Sequence, residues 1–226
     1  MKIVVYTLGC KVNQYESESL MFVLNQSGHE VFSHLTYADL YIINTCAVTN
    51  EAEKKSRQTI AKCKAFNPNA KIIVCGCASE KNAKQFRDIQ NVTYITGVAN
   101  KLDIAFNLNN NTTQIYKHTD EYDENYKSVP TKTRAYVKIQ DGCNNFCSYC
   151  IIPYLRGRSR SRNVISILNE INQLSKTVKE IVITGIDVSD YKIDNKKSLN
   201  VLIEKLKPYK NIRFRLSSLE QGVIDQ

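Results

Sequence analysis

No run in this chain approaches the roughly 18 consecutive apolar residues of a membrane span. The opening, MKIVVYTLGCKVNQ, turns polar by Lys11 and lacks the long apolar core of a secretory signal. Together these absences predict a soluble chain in a reducing cytoplasm. Histidine is scarce: His29, His34 and His118 stand at no ligand spacing, and surface positions are expected for them. Eight cysteines in 226 residues are too thinly spread for a small disulfide scaffold, and a 42% hydrophobic content can bury a core without staples. Clustered cysteines in a reducing compartment read as metal ligands or catalysts before they read as disulfides. Acidic residues are the minority, 22 against 31 Lys and Arg, and the net charge of +9 suits a polyanionic partner such as nucleic acid. The excess is uneven, +3 over residues 1–115 and +6 over 116–226, where Arg156, Arg158, Arg160 and Arg162 form one cluster.

Residues 2–8 (KIVVYTL) read as a buried strand and 15–26 as a helix, with Leu20, Val23 and Leu24 at helical spacing. Further strands are predicted at 40–44, 71–75 and 92–95, and helices at 51–65, 79–87 and 100–108. Alternation of this kind implies a mainly parallel, open α/β sheet with covered faces. Between Asn107 and Lys132 the composition becomes polar and charged, which predicts a linker over 116–132 between a domain at 1–115 and another at 133–226. The second domain repeats the pattern: strands at 135–140, 180–185 and 212–218, helices at 163–175 and 197–207.

Cys10, Cys46 and Cys77 each follow a predicted strand by one or two residues. In a parallel sheet such positions share one edge, where ligands bind. Any one of them alone is as well explained as a small core residue. Cys75 is expected inside its strand, and Cys63, in the helix 51–65, is expected to be structural. The most specific pattern is Cys143-x-x-x-Cys147-x-x-Cys150, directly after the strand 135–140. Three thiolates from one loop can hold three irons of a four-iron, four-sulfide cluster and leave the fourth iron open. Such a cluster can chelate S-adenosylmethionine and reduce its sulfonium. Zinc is the competing reading, but no second cysteine pair follows to complete a structural site. The arginines from Arg156 to Arg162 suit phosphates or a carboxylate, or else form a solvated basic loop. Asn13 and Asn44 flank the strand-end cysteines, where ordinary turn hydrogen bonding explains them equally well.

CNNFCSYC followed by IIPYLRGRSRSR resembles the radical S-adenosylmethionine loop of the methylthiotransferases. TLGCKVNQYES, INTCAV and VCGCA resemble the three cysteine motifs of the domain peculiar to that family. TLGCKVNQYES and VKIQDGCNNFCSYC are most similar to the branch acting on N6-threonylcarbamoyladenosine in tRNA. The resemblance implies an N-terminal open parallel-sheet methylthiotransferase domain followed by part of a radical SAM (β/α) partial barrel. It assigns Cys143, Cys147 and Cys150 to the cluster that cleaves S-adenosylmethionine, and Cys10, Cys46 and Cys77 to an auxiliary four-iron cluster. Cys77 rather than Cys75 matches the family's Gly-Cys-x-x-Gln pattern, from which this chain departs at Glu80. Tyr149 is implied beside the adenine of S-adenosylmethionine. Apart from the resemblance, Gly185 and Asp187 end the strand 180–185, where barrel enzymes place ligand contacts, although an Asp after a strand is often only a turn or cap residue, and Arg158 of the basic run suits the cofactor's carboxylate. The activity implied is methylthiolation of adenine C2 beside the anticodon, at tRNA position 37, with flavodoxin or ferredoxin as electron donor. Isopentenyl-adenosine tRNA or a ribosomal protein are alternative substrates, and a non-catalytic iron-sulfur or zinc RNA-binding fragment is the alternative outside catalysis. Only three strands fit after residue 132, and the family's remaining half-barrel and RNA-binding β-domain are missing. The expectation is therefore a fragment with an exposed edge strand at 212–218, weak RNA binding and poor turnover by itself.

Overall fold

β-Branched runs such as KIVVYT, LYIINT and KIIVCG favour extended backbone, and where both faces are covered they need no polar alternation. In the computed structural model, which describes residues 1–127, 130 and 133–220, they form the centre of a parallel sheet. The chain divides into two compact units, Met1–His118 and a second from Thr119 onward.

The first unit runs β1 (Lys2–Thr7), α1 (Lys11–Gln26), β2 (Glu30–Phe32), β3 (Leu40–Thr45), α2 (Asn50–Phe66), β4 (Lys71–Gly76), α3 (Cys77–Lys81), α4 (Lys84–Arg87), β5 (Val92–Thr96), a 3-10 turn (Lys101–Phe106) and β6 (Thr113–Gln114). Every strand pair is parallel, in the order β2-β1-β3-β4-β5-β6. The order reverses between β1 and β3, the kind of switch point at which open α/β sheets bind ligands beyond the strand carboxyl ends. β3 is buried along its whole length. One face packs Ile3, Val5, Ile42 and Ile73 against Leu20 and Leu24 of α1 and Ile104 of the 3-10 turn. α2 opens on Thr49, whose hydroxyl accepts from the Ala52 amide at 3.1 Å, and carries Glu51 and Glu53 in its first turn, complementing the helix dipole.

The second unit runs β7 (Arg134–Lys138), β8 (Gln140–Asp141), α5 (Ile152–Arg156), β9 (Arg160–Ser161), α6 (Val164–Leu174), β10 (Glu180–Thr184), β11 (Lys192–Ile193), β12 (Lys196–Lys197), α7 (Leu199–Leu206) and β13 (Arg213–Leu216). Its parallel sheet is ordered β13-β10-β7, with α6 and α7 as crossovers. Ala135, Val137, Ile181 and Ile183 pack against Ile167 and Ile171 of α6 and Leu202 of α7. β8 and β9 form a short antiparallel ribbon beside the sheet, as do β11 and β12.

Several elements differ from the sequence reading. α1 starts at Lys11 rather than 15: after the Gly9 turn Cys10 is extended at the N-cap position, and its carbonyl already accepts from the Gln14 amide at 3.1 Å. The helix expected over 79–87 is two short pieces separated at Asn82, which is extended. The helix expected over 100–108 is a 3-10 turn that follows Asn100 in the left-handed region. The expected linker is not free chain throughout. The Tyr122 hydroxyl donates to the Lys138 carbonyl at 2.9 Å, Glu124 accepts from Arg162 and from the Asn163 amide, and Tyr126 is buried. Tyr122, Glu124 and Tyr126 thus fasten part of this charged stretch to the second unit. Among the described residues no helix is long and apolar enough to cross a membrane.

Candidate functional site

The parallel register places the first set of cysteines. Thr7 is paired with Asn44 and Thr45 with Gly76, so Cys46 and Cys77 each stand one residue beyond a pair, and Cys10 lies three beyond β1. All three therefore lie at the carboxyl edge of adjacent strands, with Cys10 exposed and the other two buried. Gly9 and Gly76, directly before Cys10 and Cys77, have φ of 95° and 100°, a region that side chains other than glycine's disfavour. A Cβ at Gly9 would sit 2.7 Å from the Cβ and Sγ of Cys46, and one at Gly76 would sit 2.5 Å from Asn44 Oδ1 and the Thr45 carbonyl. Glycine is thus what allows these loops to close on one another.

Buried polar side chains fix the same loops. Asn13 donates to the carbonyls of Leu8 and Thr45 at 2.9 and 3.0 Å. Asn44 donates to the Asn13 carbonyl and to Ser17 Oγ. The Thr45 hydroxyl donates to the Cys75 carbonyl at 2.6 Å and accepts from the Ala78 amide at 3.2 Å. The two asparagines are therefore internal struts of the site, beyond ordinary turn residues. Cys75 lies inside β4, and burial pushes its thiol up to about 12. Burial does the same to Cys63 in α2.

The second set occupies the loop between β8 and α5. Gly142, before Cys143, has φ 72°, and a Cβ there would lie 2.0 Å from the Arg158 carbonyl oxygen. The Cys143 amide donates to the Gly157 carbonyl at 3.1 Å, and the Cys150 amide to the Cys147 carbonyl at 2.9 Å. Cys143 Sγ accepts from the Asn145 amide at 3.4 Å. Burial raises the Cys143 thiol first, the Asn145 amide opposes that rise, and the charges of Asp187, Cys150 and Cys147 add to it. Three thiolates this close repel one another and call for positive charge among them.

Gln140, unremarked as a site residue in the sequence, organises this loop. Its amide donates to the carbonyls of Asp141 and Gly142 and to Ser159 Oγ, while its Oε1 accepts from the amides of Ile186 and Asp187 at 3.0 and 2.9 Å. One buried side chain thus ties the loop's entrance to the end of β10. Gly185 is part of that contact, since a Cβ there would meet Gln140 at 3.0 Å. Asp187 accepts from the Ser189 amide at 3.1 Å as a cap and from Asn145 Nδ2 at 3.1 Å, so it holds the cysteine loop through Asn145. The signal for Gln140 was its place in VKIQDGC, one residue before the chain turns into the loop.

The arginine cluster is neither a uniform anion site nor a solvated loop. Arg156 is buried against Asp141 at 3.0 Å, and Arg162 is buried against Glu170 and Glu124. Arg160 lies 3.9 Å from Asp141 and donates to backbone carbonyls. Only Arg158 is exposed, its guanidinium 4.5 Å from the Phe146 ring. Tyr149 projects outward, 90% exposed, and hydrogen-bonds Cys147. Of the histidines, His34 is exposed against Phe32, whereas His29 and His118 are half-buried.

Among the described residues no group of three His, Cys, Asp or Glu side chains is arranged to hold a single metal ion. A four-iron cluster asks for something else, each thiolate on its own iron. The donor chemistry of both loops fits that group: three thiols per set, with glycine clearing the space beside them.

Residues 2–97 match the uncharacterized protein family UPF0004, and residues 137–221 match the radical SAM superfamily. The chain is 42% identical over 223 residues to threonylcarbamoyladenosine tRNA methylthiotransferase MtaB of Chlamydia pneumoniae, covering 97% of this chain and 51% of the relative. It is 35% identical to the Bacillus subtilis protein of the same name, covering 98% and 52%. It is 34% identical to the tRNA-2-methylthio-N(6)-dimethylallyladenosine synthase of Thermodesulfovibrio yellowstonii, covering 94% and 52%. The chain spans about half the length of the curated relatives it matches. A UPF0004 segment is thus followed by a radical SAM segment, each carrying its own cysteine set, and over this length the chain is similar to the tRNA methylthiotransferases named above.

Proposed function

We propose that this chain serves the methylthiolation of tRNA, placing a methylthio group on adenine C2 of N6-threonylcarbamoyladenosine beside the anticodon, at position 37. The observation that carries the reading is the pair of glycine-headed thiol loops, one at the carboxyl edge of the first sheet and one following β8 in the second unit. The adenine C2–H bond is beyond acid–base catalysis at neutral pH. When bound, a four-iron cluster with one open iron supplies the reductive cleavage of S-adenosylmethionine, and with it a radical able to act on that bond.

In this reading Cys143, Cys147 and Cys150 hold the cluster that engages S-adenosylmethionine, and Cys10, Cys46 and Cys77 hold the auxiliary one. Tyr149, exposed beside Cys147, would pack against the adenine of S-adenosylmethionine. Arg158, the one arginine of its cluster left exposed, meets a carboxylate or phosphate. Asp187 and Gly185 act through the loop: one anchors Asn145, the other lets β10 approach Gln140. A cytoplasmic setting with flavodoxin or ferredoxin as electron donor fits such chemistry.

The test is anaerobic reconstitution followed by reduction in the presence of S-adenosylmethionine. 5′-Deoxyadenosine should form and should disappear in Cys147→Ala. Nucleoside mass spectrometry of tRNA carrying threonylcarbamoyl or isopentenyl adenosine then identifies the substrate. Methylthiolation confined to the isopentenyl form would move the chain to the other branch, and absence of S-adenosylmethionine cleavage would overturn the catalytic reading.

A further inference from the structure

Lys101 opens the 3-10 turn after β5 and is one of the largest fully buried side chains in the chain. Its ammonium pairs with Glu16 of α1, and the two side chains are only 1% and 2% exposed. Two charges removed from water are costly, and a well-packed apolar pair of the same volume is often at least as stable. Stability alone therefore does not account for the pair.

Its surroundings do. Lys101 Nζ donates to Asn44 Oδ1 at 3.1 Å, and that oxygen is the atom a Cβ at Gly76 would strike. The Asn44 amide donates to the Asn13 carbonyl and Ser17 Oγ, and Asn13 donates onward to the carbonyls of Leu8 and Thr45. Leu8 lies two residues before Cys10, Thr45 one before Cys46 and Gly76 one before Cys77. One buried network thus reaches the chain beside every cysteine of the strand-end set. Within it the ammonium stands near the strand ends: Asn44, its acceptor at 3.1 Å, lies two residues before Cys46 and is the register partner of Cys75.

We infer that Lys101, held by Glu16 and acting through Asn44, is a positioning residue for the strand-end cluster: it sets the three cysteine loops and places positive charge beneath a site of anionic sulfur. The inference rests on the reading of Cys10, Cys46 and Cys77 as cluster ligands. It makes Lys101 a determinant of how firmly that cluster is held and of its reduction potential, since a nearby cation favours the electron-rich state.

The test uses the full chain with Cys143, Cys147 and Cys150 replaced by alanine, which leaves one cluster to observe. Into it go Lys101→Met alone and Lys101→Met together with Glu16→Gln, the second also neutralising the carboxylate from which the first takes its cation. The readouts are iron and sulfide per chain, rate of iron loss to a chelator, midpoint potential by titration followed by electron paramagnetic resonance, and circular dichroism for the fold. The double variant should fold, lose iron several-fold faster than its parent and titrate at a more negative potential. A double variant that folds with the parent's potential and iron-loss rate would overturn the inference and leave the pair a packing feature. A parent that holds no iron would overturn the auxiliary-cluster reading itself, and this inference with it.

Discussion

Each of the eight cysteines has a chemistry set by its surroundings. Burial holds the Cys63 and Cys75 thiols near 12, so at pH 8 about one in ten thousand is ionised, and neither presents a nucleophile to solvent. Cys10 is exposed, and Cys143, Cys147 and Cys150 are partly so. Brief alkylation of the metal-free native chain at pH 8, mapped by mass spectrometry, should label those four and spare Cys63 and Cys75; early modification of Cys75 would contradict its place inside β4. The same two thiols bear on stability. A folded pKa above the unfolded one means that the unfolded chain ionises first, so their contribution is intact below about pH 9 and is lost as pH rises toward 12. Denaturant midpoints measured from pH 8 to 11 should fall, and the fall should lessen in Cys63→Ala.

At the scale of elements, the ends of strands matter more than their middles. Gln140→Ala leaves the amides of Ile186 and Asp187 without that acceptor, at a cost of about 1–3 kcal/mol for each buried group left unmet. A lowered melting temperature together with weaker iron retention at Cys143, Cys147 and Cys150 is expected; unchanged iron retention would mean that the loop holds itself. The arginines of α5 and β9 divide in the same way. Arg156→Ala removes one of the cations on Asp141, which keeps Lys138 at 3.1 Å and Arg160 at 3.9 Å, and the lost charged hydrogen bond should cost about 1.5–3 kcal/mol in a thermal or urea melt. Arg158→Ala forfeits only an exposed contact with Phe146, about 0.5–1 kcal/mol, and should instead weaken binding of S-adenosylmethionine by equilibrium dialysis.

The long strands β1, β3, β4, β5 and β10 were legible as apolar runs, and so were the cysteine positions just past them, because a parallel sheet turns strand order into a shared edge. What was not legible depended on distant partners. Arg156, Arg158, Arg160 and Arg162 looked like one basic stretch, yet Arg156 and Arg162 are buried on carboxylates up to 38 residues away. Gln140, Asn13 and Asn44 carry no periodic signal, and their roles follow from carbonyls and amides brought to them by other strands. Short pieces such as β2 and β6 exist because a neighbouring strand pairs with them, not because their own residues demand extension.

At the scale of the molecule, the two units each contain a parallel sheet and one set of three cysteines, and each set begins on a glycine at positive φ. That repetition across two separate sheets is the strongest reason to read both sets as cluster ligands. β13 ends the order of the second sheet and carries exposed Arg213 and Arg215, charges that oppose edge-to-edge association. The most direct test of the account is iron and acid-labile sulfide per chain after anaerobic reconstitution, for the natural sequence and for Cys143→Ala and Cys77→Ala. Two thiolate-bound clusters predict about eight irons, falling by roughly half in each variant. Stoichiometric zinc, or iron unaffected by either substitution, would contradict it.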